Sequence, residues 1–530
     1  SRTFSITTPG TYEFRIKNRE SGFSLDRIIL STTAGLNASA LDALYNHDVV
    51  FTYAETDGDW STAANWDHGV PTASGPAFIG NGRSMTLIAA GAGARKLSIG
   101  YDDDLLPGSG TLTQTGGDLT VGESLKIGFL ENGPDSITGN YTVTGGGSLQ
   151  VGLSTTERAD LYVGKHTLSS TDLVATGTLD LSGAAQFTAY LDNFEIGNRA
   201  SGEGDGTAQG IVSLAADNVI DATSILISRS SMWNTVPLSE LRLGASNLIK
   251  TDTLTVGGLR GNAKVSFLSG GTLTLEGSSG DEADLFISSN IGGTSSPAKG
   301  VMDLSGGTFN ATLDEVVIGY DDGKAAGVSD GTLTFDAGTV EANSLVIGAA
   351  LTNSGGDGYA NGKLNMNGGT LTVAGPVTLG TGTDDAYGTI TLTGGTFSAA
   401  SLTGDALGTG TVDVKGGAMT IAGNVAVDVL RVGDTSHTGT FTVTGATSTV
   451  QVGSAADPTD MVIGHKAGSN SETIGTVDLS AAASLTAHLD NLLLGQTESG
   501  ATQNGGEGRG TLHGAVTNTI FANTIQLGDT

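Results

Sequence analysis

Three short motifs place carboxylates where an apolar strand ends, and this is the residue pattern in the sequence best suited to a metal ion. Residues 100–104 (GYDDD) and 319–323 (GYDDG) both begin at the Gly of an Ile-Gly strand end, and residues 382–385 (GTDD) are a looser relative. Carboxylates clustered on a turn bind Ca²⁺ together with carbonyl groups and water. Asp is also common in turns because its side chain bonds its own backbone. We therefore commit to no cofactor, keep Ca²⁺ as an alternative, and leave the metal site unknown.

Other residues capable of chemistry are dispersed along the chain. Glycoside hydrolysis needs two carboxylates about 5–10 Å apart in a cleft; neighbouring repeats could supply such a pair, but Asp-rich surface turns are the commoner explanation. The absence of Cys removes disulfides, thiolate nucleophiles and zinc–cysteine sites. We predict no catalytic and no cofactor-binding residues, and hence no enzyme. The His residues have no metal-ligand spacing; they are His47, His68, His166, His437, His465, His488 and His513.

The charge balance excludes several classes of partner. The chain carries 24 Lys+Arg against 55 Asp+Glu, a net charge of -31, which repels nucleic acid and anionic membrane surfaces. No apolar run approaches the roughly 20 residues of a membrane-spanning helix, so we expect no membrane insertion. Arg15, Lys17 and Arg19 form a local basic stripe. This stripe could dock onto the acidic surface of another copy, but the solvated face of a strand is the favoured interpretation.

The elements that must position all these residues are the copies of one repeated phrase. Gly accounts for 83 of 530 residues, more than twice the usual fraction of roughly 7%. The phrase reads Gly-Thr, an alternating strand, a Gly pair, a second short strand and an apolar strand ending in Gly, as in GTLTQTGGDLTVGESLKIG at 110–128. A weaker copy is expected around 241–243, inside the longest gap. The copies begin at or near Gly110, Gly139, Gly177, Gly210, Gly261, Gly300, Gly331, Gly362, Gly388, Gly410, Gly439, Gly475 and Gly510.

This period predicts an all-β solenoid. About 33 residues with three short strands fit one coil of a three-sided parallel β-helix, whereas propeller blades need four strands and a Trp-Asp signature. Gly pairs supply the positive-φ corners, and the handedness of parallel crossovers predicts a right-handed coil. Fourteen coils at about 4.8 Å would make a rod of roughly 65–70 Å.

A longer repeat lies over the short one. Residues 177–197 (GTLDLSGAAQFTAYLDNFEIG) are echoed at 475–495 (GTVDLSAAASLTAHLDNLLLG), and residues 160–164 are echoed at 460–464. The offset of about 300 residues indicates tandem duplication of a block of about nine coils. Copying whole blocks is typical of proteins selected for length.

The predicted domains are three. Residues 1–33 read as the terminal hairpin of a β-sandwich, residues 34–100 as a linker and solenoid cap, and residues 101–530 as the β-helix. Because both ends of the sequence break off within strand patterns, we interpret the chain as a piece of a longer polypeptide. Trp60 and Trp66 lie in the cap segment. We expect their indoles to cover the first coil, since solenoids need atypical terminal units; an exposed sugar-binding platform is the alternative.

Two resemblances follow from these segments. The repeats at 59–530, introduced by Trp60, Trp66, Gly69 and Pro71, resemble large bacterial cell-surface and autotransporter-passenger β-strand-repeat proteins. Residues 22–32 (GFSLDRIILST) resemble the closing strands of a carbohydrate-binding jelly-roll module, with Ser24 where that family often has Asn.

The first resemblance implies secretion and a structural or adhesive role. We therefore predict a non-enzymatic structural protein, extracellular or on the cell surface, that forms a fibre, sheath or stalk segment and self-associates end to end. A carbohydrate-binding adhesin with a polysaccharide partner is the alternative, and a β-helix polysaccharide lyase or hydrolase is third.

Overall fold

The computed structural model divides the chain into two units, Ser1–Val50 and Phe51–Thr530, and only the second contains described residues. The described ranges are 52–102, 108–131, 133, 135–168, 172–200, 206–231, 236–291, 297–322, 328–353, 356–357, 359–383, 385–404, 407–434, 437–467, 472–498 and 507–529. The predicted sandwich hairpin, Arg15, Lys17, Arg19, Ser24 and His47 lie outside these residues.

The described residues form forty strands and one 3₁₀ turn, Ala63–Asn65. The first twenty strands are β1 Thr52–Tyr53, β2 Gly58–Asp59, β3 Pro76–Ile79, β4 Arg83–Leu87, β5 Ala92–Asp102, β6 Gly110–Gln114, β7 Asp118–Leu130, β8 Ile137–Val143, β9 Ser148–Val151, β10 Ala159–His166, β11 Val174–Asp180, β12 Gln186–Arg199, β13 Thr207–Ser213, β14 Asp217–Ser230, β15 Ser239–Leu243, β16 Ser246–Gly258, β17 Asn262–Phe267, β18 Thr272–Glu276, β19 Ala283–Asn290 and β20 Ala298–Asp303. The remaining twenty are β21 Thr308–Asp321, β22 Val328–Phe335, β23 Thr339–Ala350, β24 Thr352–Asn353, β25 Gly356–Asp357, β26 Tyr359–Met366, β27 Thr370–Thr381, β28 Ala386–Leu392, β29 Thr396–Gly404, β30 Thr409–Val414, β31 Gly417–Ile421, β32 Val425–Val427, β33 Val429–Asp434, β34 Thr438–Val443, β35 Thr449–Val452, β36 Thr459–His465, β37 Thr473–Asp478, β38 Ser484–Gln496, β39 Gly508–His513 and β40 Thr517–Asp529.

Thirty-eight of these strands belong to one all-parallel sheet, and β24 and β25 form a separate antiparallel pair. Most strands pair with the strand two positions along the chain, so each turn of the chain lies on the turn before it. This confirms the predicted parallel β-helix. The predicted right-handed winding stays a prediction. The β-helix was expected to start at residue 101. The parallel sheet includes earlier strands, since β1 pairs with β3, β3 pairs with β5, and β4 pairs with β6.

Each coil passes over three faces, and most coils do so with two strands rather than the three short ones expected. The second strand is long and turns a corner midway, which appears as a register shift, for example between Val373 and Pro376. Face 1 consists of β2, β4, β6, β8, β11, β13, β15, β17, β20, β22, β26, β28, β30, β33, β36 and the C-terminal halves of β38 and β40. Face 2 consists of β9, β18, β31, β34, β37, β39 and the N-terminal halves of β5, β7, β12, β14, β16, β21, β23, β27 and β29. Face 3 consists of β1, β3, β10, β19, β32, β35, the C-terminal halves of the long strands just named, and the N-terminal halves of β38 and β40.

Inward side chains of successive coils stack on one another and make one core. On face 3, Leu97, Leu125 and Leu161 occupy paired positions and are all fully buried. The same apolar cluster extends from Trp60 to Ala515. Face 1 carries seventeen stacked strands, and fifteen of them lie from Gly110 onward, where fourteen coils were expected. At about 4.8 Å a step, the seventeen strands make a stack about 77 Å long.

The glycines of the repeated phrase lie where two backbones approach closely. Gly128, in the Ile-Gly strand end, has φ of 63°, and a Cβ there would lie 1.9 Å from the Thr176 carbonyl oxygen. The neighbouring Gly177 opens a Gly-Thr strand, and its Cβ would lie 2.2 Å from the Gly164 nitrogen. Real Cβ atoms do not tolerate such distances. Both glycine positions of the phrase are therefore set by the packing of the corner between faces 3 and 1.

Most predicted repeat starts stack as expected, with one correction at the weak copy. Gly110, Gly139, Gly177 and Gly210 pair in order on face 1. The weak copy is confirmed as β15, which pairs with both β13 and β17. In the copy that was expected to begin at Gly261, the residue that pairs with Ser239 and Gly300 of the neighbouring coils is Ala263, not Gly261.

A second correction concerns the copy that begins at Gly410, which contains an extra strand. The short strand β32 occupies face 3, and the following strand, β33, lies on face 1 again. There it pairs with β30, with Thr411 opposite Val429, so this coil is unusually short. The next Gly-Thr start, Gly439, then pairs with Gly417 on face 2 rather than with Gly410 on face 1. From this point every copy is displaced by one face, which we call the phase shift.

The phase shift gives the two duplicated blocks different orientations. In the first block the sequence 177–197 occupies faces 1, 2 and 3 in that order, as β11 and the two halves of β12. Its echo, 475–495, occupies faces 2, 3 and 1, as β37 and the two halves of β38. Local contacts are kept: Asn193 donates to Asp160 at 2.9 Å, and Asn491 donates to Asp460 at 2.8 Å. Equivalent side chains of the two blocks therefore point to different sides of the solenoid.

Candidate functional site

The two tryptophans of the cap segment are buried, which overturns the sugar-platform alternative. Trp60 and Trp66 are 1% and 4% exposed. Their rings meet edge to face at 5.0 Å, and the Trp66 indole nitrogen donates to the Trp60 carbonyl at 2.8 Å. Both rings belong to the core cluster. They pack over the first coil, as the sequence predicted, and offer no exposed aromatic surface.

Aromatic side chains instead form a ladder on the outer side of face 3, across the first coils. Tyr53, Phe78, Tyr101, Phe129 and Tyr162 follow one another with ring centroids 4.9, 5.9, 5.8 and 5.5 Å apart. Sequence reasoning missed this ladder. Its signal was present, since these residues are separated by 23–33 positions, which is close to the coil length.

Two lysines and a glutamate flank the ladder. The Lys126 ammonium lies 4.2 Å from the Phe129 ring centre, and the Lys165 ammonium lies 3.8 Å from the Tyr162 ring centre. Glu131 accepts hydrogen bonds from Tyr101 and, at 3.2 Å, from Lys126. Burial on its own raises the pKa of Glu131, but the Tyr101 hydrogen bond and the Lys126 charge outweigh it and lower that pKa. Lys126 also lies 4.8 Å from the Tyr101 ring centre, and Lys165 lies 5.8 Å from the Phe129 ring centre. These cation–π contacts and the hydrogen bond from Tyr101 to Glu131 join neighbouring coils.

A cavity of about 220 Å³ opens at the N-terminal end of the ladder. Tyr53, Phe78 and Tyr101 form its aromatic side, and Glu55, Asn81 and Arg83 line it as polar groups. The cavity combines aromatic surface with a hydrogen-bond donor and acceptors. This composition is of the kind that binds small polar ligands with an apolar face.

A second polar feature lies buried where face 3 turns towards face 1. Successive coils place Leu130, His166, Arg199 and Ser230 at paired positions. His166 and Arg199 have no exposed surface, and Arg199 Nη1 lies 2.9 Å from His166 Nε2. Burial and the nearby Arg199 charge lower the pKa of His166 to about 4, and burial lowers the pKa of Arg199. His166 is therefore neutral at physiological pH and accepts a hydrogen bond from Arg199.

The acidic motifs have different environments, and the described residues do not bring them together. In the motif at 319–323, Asp321 and Asp322 are 1% and 8% exposed, and Asn290 donates to Asp321 at 2.9 Å. In the motif at 382–385, Asp385 is exposed. Residues 103, 104, 323 and 384 lie outside the described ranges, so the calcium alternative stays untested. Within those ranges no group of three or more His, Asp or Glu has metal-binding geometry.

The described histidines lie in separate places. His68 contacts Asp67 at 2.9 Å, His437 contacts the Asp434 carbonyl at 3.2 Å, and His488 stacks on Phe521 at 4.8 Å. His465 lies between Asp434 and Glu498, at 3.4 and 3.3 Å. His513 is exposed on β39.

No helix within the described ranges has the length and apolar character needed to cross a membrane. Against known proteins, no family model, no curated protein and no solved structure matches this chain, so the parallel β-solenoid is the level at which it is classified.

Proposed function

We propose that the chain is a non-enzymatic structural protein of the bacterial cell surface or extracellular matrix, forming a segment of a fibre, sheath or stalk. The observation that carries the proposal is the continuous stack of seventeen strands on face 1. A single apolar core follows the whole stack. Tandem duplication of about 300 residues lengthens such a stack without a new fold, because each coil contacts only its neighbours. The likeness of the repeats to surface and autotransporter-passenger proteins supports the same function.

End-to-end self-association is the second part of the proposal. The last described strands, β39 and β40, each pair with a strand of the preceding coil. Phe521, Ile525 and Leu527 of β40 are 56%, 58% and 71% exposed. A strand edge lined by exposed apolar side chains is a template for pairing with another strand, which a second copy of this protein can supply. A contact of this heterologous type propagates into filaments.

Sedimentation velocity across a range of chain concentrations tests this proposal. The expected result is a sedimentation coefficient that rises with concentration for the native sequence. A variant with Phe521→Lys and Ile525→Lys should stay monomeric, because two ammonium groups cannot be buried at that edge. The matched control, Leu351→Lys, alters an exposed leucine away from β40 and should associate like the native chain. A native chain that stays monomeric at all concentrations would refute the end-to-end contact.

A carbohydrate-binding surface adhesin is the second candidate function. Its specific support is the aromatic and polar cavity beside Tyr53, Phe78 and Tyr101, since the buried Trp60 and Trp66 cannot serve this purpose. A polysaccharide lyase or hydrolase is third, and no observation among the described residues favours it.

A further inference from the structure

The cavity at the start of the aromatic ladder has walls of two chemical kinds. Its aromatic side consists of Tyr53, Phe78 and Tyr101, contributed by three successive coils of face 3. Its polar side carries Glu55, Asn81 and Arg83. The volume of about 220 Å³ is below the roughly 300–1,000 Å³ of sites for drug-sized ligands. Such a space suits one small ring with an apolar face and polar edges.

The polar side is built by a tight turn between β3 and β4. The Arg83 backbone nitrogen donates to the Gly80 carbonyl at 2.9 Å. The two central residues, Asn81 and Gly82, have φ of 53° and 75°. Positive φ at both positions of an Asn-Gly pair is typical of a type I′ turn. The turn therefore holds Asn81 and Arg83 at the cavity by backbone geometry rather than by a mobile loop.

Arg83 brings a hydrogen-bond donor that the described residues do not use. Its Nε atom is buried and has no hydrogen-bond partner among them. Because Nε has almost no accessible surface, a ligand oxygen in the cavity would pair with the terminal guanidinium nitrogens of Arg83, which also donate. Glu55 and Asn81 also line the cavity, and their side-chain oxygens can accept hydrogen bonds from the hydroxyl groups of a ligand.

We propose that this cavity binds one ring of a neutral saccharide. A sugar ring presents apolar C–H faces, which pack on aromatic side chains, and hydroxyl groups, which pair with carboxylate, amide and guanidinium groups. Glu55 can accept a hydrogen bond from a sugar hydroxyl and Arg83 can donate one, and a hydroxyl group both donates and accepts. An acidic sugar is disfavoured, because Glu55 balances the charge of Arg83 within the lining and the net charge of -31 on the chain repels an anion. A purely apolar ligand would leave the polar side unsatisfied.

The saccharide site deepens the adhesin candidate and is independent of the fibre proposal. A monomeric chain would bind the sugar as well as a filament would, because all six residues belong to one chain and lie far from β39 and β40 in the stack. Failure of the sedimentation test therefore leaves the saccharide site intact, and failure of sugar binding leaves the fibre proposal intact.

Isothermal titration calorimetry of the 530-residue chain tests the site. The probes are methyl glycosides of glucose, galactose, mannose and N-acetylglucosamine, their short oligosaccharides, and glucuronate as the acidic comparison. At least one neutral sugar should bind with a Kd of about 1 mM or tighter. Arg83→Met, which keeps the aliphatic stem, and Tyr101→Ala should each weaken that binding at least tenfold.

Two further variants separate the site from general stability. Tyr162→Ala removes a ring of the same ladder outside the cavity and should leave the Kd unchanged. Tyr101→Phe keeps the ring and should retain binding even though its hydrogen bond to Glu131 is lost. Absence of binding by every neutral sugar overturns the proposal, and so does preferential binding of glucuronate. Equal weakening by Tyr162→Ala and Tyr101→Ala also overturns it, because the effect would then come from the ladder.

Discussion

Replacing a single corner glycine should separate the cost of backbone strain from the cost of interlocking coils. Gly348 lies near the C-terminal end of the apolar strand β23, with φ of 69°. A Cβ there would lie 1.9 Å from the Tyr387 carbonyl oxygen and 2.8 Å from the Gly388 nitrogen. Gly146 has nearly the same φ, 71°, but a Cβ there would meet no atom within 4 Å. The two positions therefore share the backbone conformation and differ in the space available.

The expected magnitudes follow from this geometry. An Ala residue in the left-handed region costs about 1–2 kcal/mol, and this is the whole expected loss for Gly146→Ala. Gly348→Ala adds displacement of β28, and overpacking of this kind costs about 1–3 kcal/mol more. The total for Gly348→Ala is thus about 2–5 kcal/mol. A difference of 1.4 kcal/mol corresponds to a factor of ten in the opening equilibrium.

Native-state hydrogen exchange read by mass spectrometry is the suitable assay, because coils of a solenoid open locally rather than all at once. Gly348→Ala should speed exchange in peptides from β23, β27 and β28 by about tenfold or more relative to the effect of Gly146→Ala on β8 and β9. Equal effects of the two substitutions would refute the view that interlocking backbones, and not φ alone, require these glycines.

Two further predictions test the buried polar corner and the phase shift. The pKa of His166 is about 4 in the folded chain and about 6.5 when unfolded, so the unfolded state binds the extra proton between these values. Stability is therefore complete above about pH 6.5 and is lost, by at most about 3 kcal/mol, as the pH falls towards 4. Hydrogen exchange at pH 7 and pH 4.5 should show this loss around β10 and β12, and His166→Gln should remove it; identical pH profiles would contradict the assignment. The phase shift places Thr420 opposite Thr442 on neighbouring strands. Cys at both positions should therefore form a disulfide in this Cys-free chain, because the Cα atoms of paired residues lie within the range of a disulfide. Cys at Thr411 and Thr440, which would be neighbours without the phase shift, should stay reduced; the opposite result would refute the shift.

Much of the fold could be predicted because the repeated phrase encodes its own packing. Alternating Leu, Val and Ile define the inward side, and the recurring glycines lie where backbones meet, so period and strand content were sufficient for the parallel β-helix. The phase shift was not predictable from the same pattern. It depends on β32, a three-residue strand whose sequence, Val425–Val427, is too short to be told from a turn.

The candidate site was predicted less well than the fold. Burial of Trp60 and Trp66 followed from the need to cover the first coil, and it was correct. The aromatic ladder was missed because its members occupy two adjacent outward columns: Phe78 lies opposite Ser98, whereas Tyr101 lies opposite Phe129. Alignment of a single column would not have revealed it. The buried contact of His166 with Arg199 was also missed, because a polar residue in a strand pattern is normally expected to point outward to solvent.

Negative-stain electron microscopy of the native material tests the proposed function most directly. Regular filaments, with an axial repeat commensurate with a stack of about 77 Å, are the predicted result for a structural subunit that joins end to end. Discrete, unassociated rods at the same concentration would contradict it.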